Sequence, residues 1–222
     1  TDGLPEKICK AIQTAADRVR TYHEKQLPQD LSFNDNLKST LGYMWKPLET
    51  AGIYVPGGTA SYPSTVLMNA IPAMVAGVRD IVMATPLTDG QINPSVLYAA
   101  KFVGIKKIYC MGGSQAVAAM AYGTESVAPV NKIVGPGNSY VAEAKRQVSG
   151  FVGIDMFAGP SEIVVISDQN SDPKIISADL IAQSEHDKSA QSILITTDQA
   201  LAEAVEKEVL SQLESLPRKE IA

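Results

Sequence analysis

The chain has 222 residues, 45% of them hydrophobic and 19% charged, and its 19 basic and 24 acidic side chains leave a formal net charge of −5. That balance excludes a disordered chain and offers no basic footprint for nucleic acid. No apolar run approaches membrane-spanning length, and no signal-peptide h-region opens the sequence, so a soluble, cytoplasmic protein is expected, with no nucleic-acid and no membrane partner. Cys9 and Cys110 are read as two buried thiols in a reducing compartment rather than as a disulfide framework.

In chain order, residues 4–25 place Ile8, Ile12, Ala15, Val19 and Tyr22 at helical spacing, with His23 as a solvated residue at the helix end. Residues 26–50 are polar and irregular before turning strand-like. From residue 51 a rhythm begins. A-G-I-Y-V-P-G-G (51–58) predicts a strand entering a glycine turn, 61–78 a helix, 80–86 a continuous apolar strand and 94–103 a helix. Residues 106–112 predict a strand ending in G-G-S-Q, 115–122 a helix, 132–134 a strand ending in G-P-G-N and 139–148 a helix. Strands that are apolar on both faces and alternate with helices predict a doubly wound parallel sheet covered on two sides. A second set follows: strand 162–167, helix 172–185, strand 192–197 and helix 200–216. Two strands make a poor independent sheet, so this set is expected to pair with the N-terminal segment, with a partner, or with residues outside the chain.

The turns P-G-G-T (56–59), G-G-S-Q (112–115) and G-P-G-N (135–138) all follow a strand and precede a helix. In a parallel sheet they share the carboxyl edge, where ligands bind and helix N-termini attract phosphates. Glycine is ordinary turn chemistry, but the shared edge of these turns points to a binding crevice. None is a complete G-x-G-x-x-G, because Tyr140 stands at the third glycine of G-P-G-N-S-Y, so the cofactor type is not legible there. A-G-P-S-E (158–162) leads into a strand, which removes Ser161 from any nucleophile elbow and leaves it as a hydrogen-bond donor or turn former. In Q-S-E-H, Gln183 and His186 are three apart and share a helix face. Taken alone, that pair reads as an ordinary polar helix end, since a closed metal site needs four donors.

The ordered set A-G-I-Y-V-P-G-G, S-T-V-L-M-N-A-I-P-A, M-G-G-S-Q-A-V-A-A-M-A-Y-G-T-E-S-V, V-N-K-I-V-G-P-G-N-S-Y-V, E-A-K-R-Q-V, I-D-M-F-A-G-P-S-E and A-Q-S-E-H resembles histidinol dehydrogenase from about Lys46 onward. Each motif is weak alone, and the ordered set is specific. The resemblance implies an oxidoreductase of histidine biosynthesis, a homodimer that takes L-histidinol through the aldehyde to L-histidine with NAD and zinc. It implies NAD contacts at Tyr54, Gln115 and Asn138, substrate contacts at Ser161, Gln183 and His186, and zinc ligation by Gln183 and His186.

The resemblance further implies two Rossmann-like domains, one inserted in the other: 54–161 inserted, with 1–53 plus 162–222 forming an incomplete outer domain that carries part of the zinc site. It places the family's catalytic Glu-His pair and remaining zinc ligands beyond the last residue here, so no catalytic residue is assigned, and the chain is expected to be an N-terminal and central part, inactive alone. Two other readings stand beside it: a dehydrogenase of the same family acting on another small alcohol, and a non-catalytic binding or assembly module.

Overall fold

The computed structural model describes residues 4–57, 62–157, 162–185 and 190–216. They divide into two compact units, 1–157 and 158–222. The first opens with helix α1 (Glu6–Glu24) and the antiparallel hairpin of β1 (Leu31–Asn34) and β2 (Thr40–Tyr43). Then come β3 (Thr50–Tyr54), α2 (Pro63–Val75), β4 (Asp80–Ala84), α3 (Pro94–Phe102), β5 (Lys107–Tyr109), α4 (Gly113–Tyr122), β6 (Lys132–Val134), α5 (Ser139–Val148) and β7 (Gly153–Ile154). The second unit holds β8 (Glu162–Ser167), α6 (Pro173–Ser184), β9 (Gln191–Thr196) and α7 (Gln199–Leu213).

Strands β5-β4-β3-β6-β7 form one sheet in that order, and each pairing is parallel. The chain walks outward from β3 through β4 to β5, then returns to the other side of β3 for β6 and β7. Strand order therefore reverses between β3 and β6, which is where open α/β sheets bind ligands beyond the carboxyl ends of the strands.

The pleat of β3 shows why these residues make a two-faced sheet. Ile53 and Val55 point to one side, into a core with Ile12 and Ala16 of α1, Val66 and Ile71 of α2, and Val96 and Ala99 of α3. Tyr54 points to the other side, into a core with Val117 and Met120 of α4 and Val141 and Val148 of α5. Alternate residues of one strand thus feed two apolar layers, which gives the continuous apolar run its meaning. Three helices here begin on a side-chain cap or a proline: Asn93 Oδ1 accepts from Ser95 N–H at 2.9 Å, Asn138 Oδ1 accepts from Val141 N–H at 3.2 Å, and Pro63 opens α2.

Three expectations are corrected. Residues 26–50 contain the β1–β2 hairpin; every residue of both strands is exposed, so its alternation carries no burial signal. The short strand β7 adds a fifth member to the sheet after α5. Cys110 is exposed and Cys9 half-buried, both as free thiols. Cys110 follows β5, which is an edge strand, so its apolar surroundings in sequence do not enclose it.

In the second unit β8 and β9 pair in parallel in full register from Glu162↔Gln191 to Ser167↔Thr196. Ile176, Leu180, Leu201 and Val205 form a small core between α6 and α7, with Ile163, Val165 and Leu194 packed against it. The other sheet face leaves Val164, Ile166 and Ile195 exposed.

Candidate functional site

The carboxyl edge of the five-stranded sheet gathers three of the expected site residues. Tyr54 ends β3. Its ring is buried in the α4–α5 layer and its hydroxyl oxygen accepts from Gly113 N–H at 3.0 Å. Gly113 opens α4, so the phenol bridges the central strand to the first turn of α4. Gln115, exposed in that turn, reaches back over it: a Cβ on Gly113 would meet Gln115 Oε1 at 2.9 Å. Asn138 is exposed at the N-cap of α5, where its carbonyl oxygen is occupied by the Val141 N–H. That leaves its amide nitrogen as the group a ligand would meet. Two helix N-termini, of α4 and α5, therefore stand at one sheet edge, and their partial positive charge favours an anionic ligand there.

Gly135, at the carboxyl end of β6, ties the two sides of the switch point together. Its φ is +114°, and a Cβ there would meet the Tyr54 carbonyl oxygen at 2.1 Å. Only glycine lets the two backbones approach so closely. The peptide groups on both sides of Gly135 are held by side chains. Gly135 N–H donates to Asp155 Oδ2 at 2.8 Å, and Lys145 Nζ donates to the Gly135 carbonyl oxygen at 2.7 Å and to Asp155 Oδ1. Lys145 is 1% exposed, the largest fully buried side chain in the described structure.

Burial pushes the Asp155 carboxyl up, but hydrogen bonds from Lys145, the Gly135 N–H and the Met156 N–H outweigh it and leave the group below the ordinary aspartate range. Neither residue was singled out in the sequence. The signal was present: Val141, Lys145 and Val148 lie at i, i+4 and i+7 on the inward stripe of α5, and a lysine on such a stripe has to find a buried partner.

Gln183 lies half-buried in the last turn of α6, in the second unit. That turn is anchored to β9, because Ser184 Oγ donates to the Leu180 carbonyl at 3.0 Å and pairs with Ser192 Oγ at 3.0 Å. Ser161 and His186 lie outside the described residues. Among the described residues, no group of three or more His, Cys, Asp or Glu side chains could hold a metal ion. Gln183 by itself does not make a zinc site.

A doubly wound parallel sheet with helix N-termini gathered at its switch point defines the Rossmann-like class of nucleotide-binding proteins. The family model for histidinol dehydrogenase matches residues 1–222. The histidinol dehydrogenase of Rhizobium meliloti (strain 1021) is 58% identical over 220 residues, covering 99% of this chain and 51% of that protein. That of Nitrobacter winogradskyi is 59% identical over 212 residues, covering 96% and 49%. The crystal structure of histidinol dehydrogenase from Elizabethkingia anophelis superposes with a TM-score of 0.93 at 43% identity, over 98% of this chain and 51% of that one. The chain belongs to the histidinol dehydrogenase family. It spans about half the length of the curated relatives it matches. A succinate-semialdehyde dehydrogenase from Burkholderia pseudomallei, at 14% identity and a TM-score of 0.60, shares the fold.

Proposed function

We propose that this chain carries the nucleotide-contact portion of an NAD- and zinc-dependent enzyme that oxidises L-histidinol through the aldehyde to L-histidine. The observation that carries this reading is the Tyr54 hydroxyl bonded to the α4 N-terminus, with Asn138 capping α5 at the same carboxyl edge of the sheet, in a chain 43% identical to a solved histidinol dehydrogenase. Bound there, NAD would accept the hydride. The residues present would act on the nucleotide by position: the N-termini of α4 and α5 face its phosphates, Gln115 and the Asn138 amide nitrogen donate or accept at its polar edges, and Tyr54 holds the α4 turn in place through Gly113.

Ser161, Gln183 and His186 are proposed as substrate contacts, with Gln183 and His186 as two of the zinc donors. Zinc would supply a template and Lewis acid for the amino alcohol. The proposed assembly is a cytoplasmic homodimer in which 1–53 and 162–222 belong to one outer domain and 54–161 to an inserted one. No helix among the described residues is long and apolar enough to cross a membrane.

Turnover needs a base for the hydroxyl proton. The resemblance assigns that base to no residue among these 222. Negligible NADH formation is therefore expected from the 222-residue chain with L-histidinol, NAD and zinc, while calorimetric titration with NAD gives binding that Gln115→Ala and Asn138→Ala weaken. Turnover at the mass of 23.6 kDa would overturn the first half of this reading, and absence of NAD binding the second. A second reading is nucleotide binding without catalysis, and it differs from the first in a protein of the relatives' full length: NADH formation from L-histidinol there supports the first reading, and NAD binding without turnover there supports the second.

A further inference from the structure

We propose that Lys145 and Asp155 are positioning residues that fix the G-P-G-N loop at the mouth of the nucleotide crevice. The inference rests on the reading of that crevice given above. Gly135 is the hinge of the loop: it leaves β6, and Asn138 caps α5 three residues later. Both polar groups of Gly135 are taken by the pair, its N–H by Asp155 Oδ2 and its carbonyl oxygen by Lys145 Nζ, while its Cα lies against the Tyr54 backbone.

Lys145 comes from α5 and Asp155 from the residue after β7, so the pair joins the loop to the helix it feeds and to the neighbouring strand. A buried ion pair is not needed for stability, since apolar side chains of the same volume often serve as well or better. What an apolar pair cannot do is hydrogen-bond the peptide groups on both sides of a glycine. A glycine with φ of +114° has other conformations open to it, and the pair selects one. The placement of Asn138, and of the α5 N-terminus with it, follows from that selection.

The test uses the 222-residue chain with the double substitution Lys145→Met/Asp155→Leu, which removes both charges together and leaves neither buried alone, beside Lys145→Met/Asp155→Asn as a milder neutral pair in case the first fails to fold. The first readout is amide hydrogen exchange. Exchange at Gly135 and across 138–142 is expected to quicken at least ten-fold, with the amides of β3 and β4 unchanged. The second is NAD titration, where Kd is expected to rise at least ten-fold while the folded fraction, read from urea unfolding, stays near that of the parent. A purely structural pair would lower the unfolding midpoint, speed exchange across the whole sheet and leave NAD affinity of the folded molecules as it was. That pattern, or unaltered exchange at 135–142, overturns the proposal. If the parent chain binds no NAD, the functional reading fails, and the exchange data still decide the positioning role.

Discussion

Gly135 shows how much of the site rests on one missing Cβ. The nearest obstacle to a methyl group there is the Tyr54 carbonyl oxygen, at 2.1 Å, and backbone does not yield. Gly135→Ala is expected to cost roughly 2–4 kcal/mol, from the strained φ and the displaced strand. Gly52 is the control, because a Cβ there would meet first the Met120 sulfur, at 2.7 Å, the far end of a flexible side chain. Gly52→Ala should lose only about 1 kcal/mol. Urea midpoints of the two variants check the contrast.

Asp155 gives the acid limb of stability. Its folded carboxyl titrates below the unfolded value of about 3.9, so it stabilises the fold above roughly pH 4, and that stabilisation is lost as pH falls through the lowered folded value. Lys145→Met/Asp155→Asn, which leaves no charge buried alone, is expected to flatten the pH dependence of the unfolding midpoint below pH 4. Glu143 is held at about 2, first by the hydrogen bond from Arg146 and next by that from Gln147, but it is exposed on α5. Solvent screens that pair, and Glu143→Gln should leave the midpoint where it was.

Among elements, α4 carries the layer behind the candidate site. Ala116, Val117 and Met120 are buried on the face that meets β3 and α5, and its first turn presents Gln115 outward. Met120→Ala would empty a fully buried position and is expected to cost roughly 2–4 kcal/mol. Because the cavity lies under Gly52 and Val130 rather than at the helix N-terminus, NAD affinity of the folded molecules should hold. Thermal unfolding beside titration separates the two effects. Asn138 is both a cap and a candidate ligand contact, and its cap role uses the carbonyl oxygen only.

At the scale of the whole molecule the two units differ in how completely each buries its sheet. In the first, helices cover both faces of five strands. In the second, α6 and α7 pack with one face of two strands, and Val164, Ile166 and Ile195 stay exposed on the other. A two-stranded sheet covered on one side is marginal. Native-state hydrogen exchange is expected to show the amides of β8 and β9 opening at lower free energy than those of β3 and β4. Equal protection in the two sheets would contradict this.

Much of this was legible in the residues because the physics involved is local. The apolar runs at 51–58 and 80–86 and the glycine turns each specify a short element, and their alternation with helical stretches specifies a parallel sheet covered on both faces. The ordered motifs specified the family. The β1–β2 hairpin was illegible because it buries neither face, and Cys110 because exposure depends on which strand takes the sheet edge. Lys145 was visible as a misfit on an apolar stripe, but its partner lies ten residues away on another element. Strand order, the place where that order reverses, and the ion pair that holds Gly135 there were decided only in three dimensions. They depend on which segments meet across the sheet, and long-range pairing leaves no periodicity in the chain.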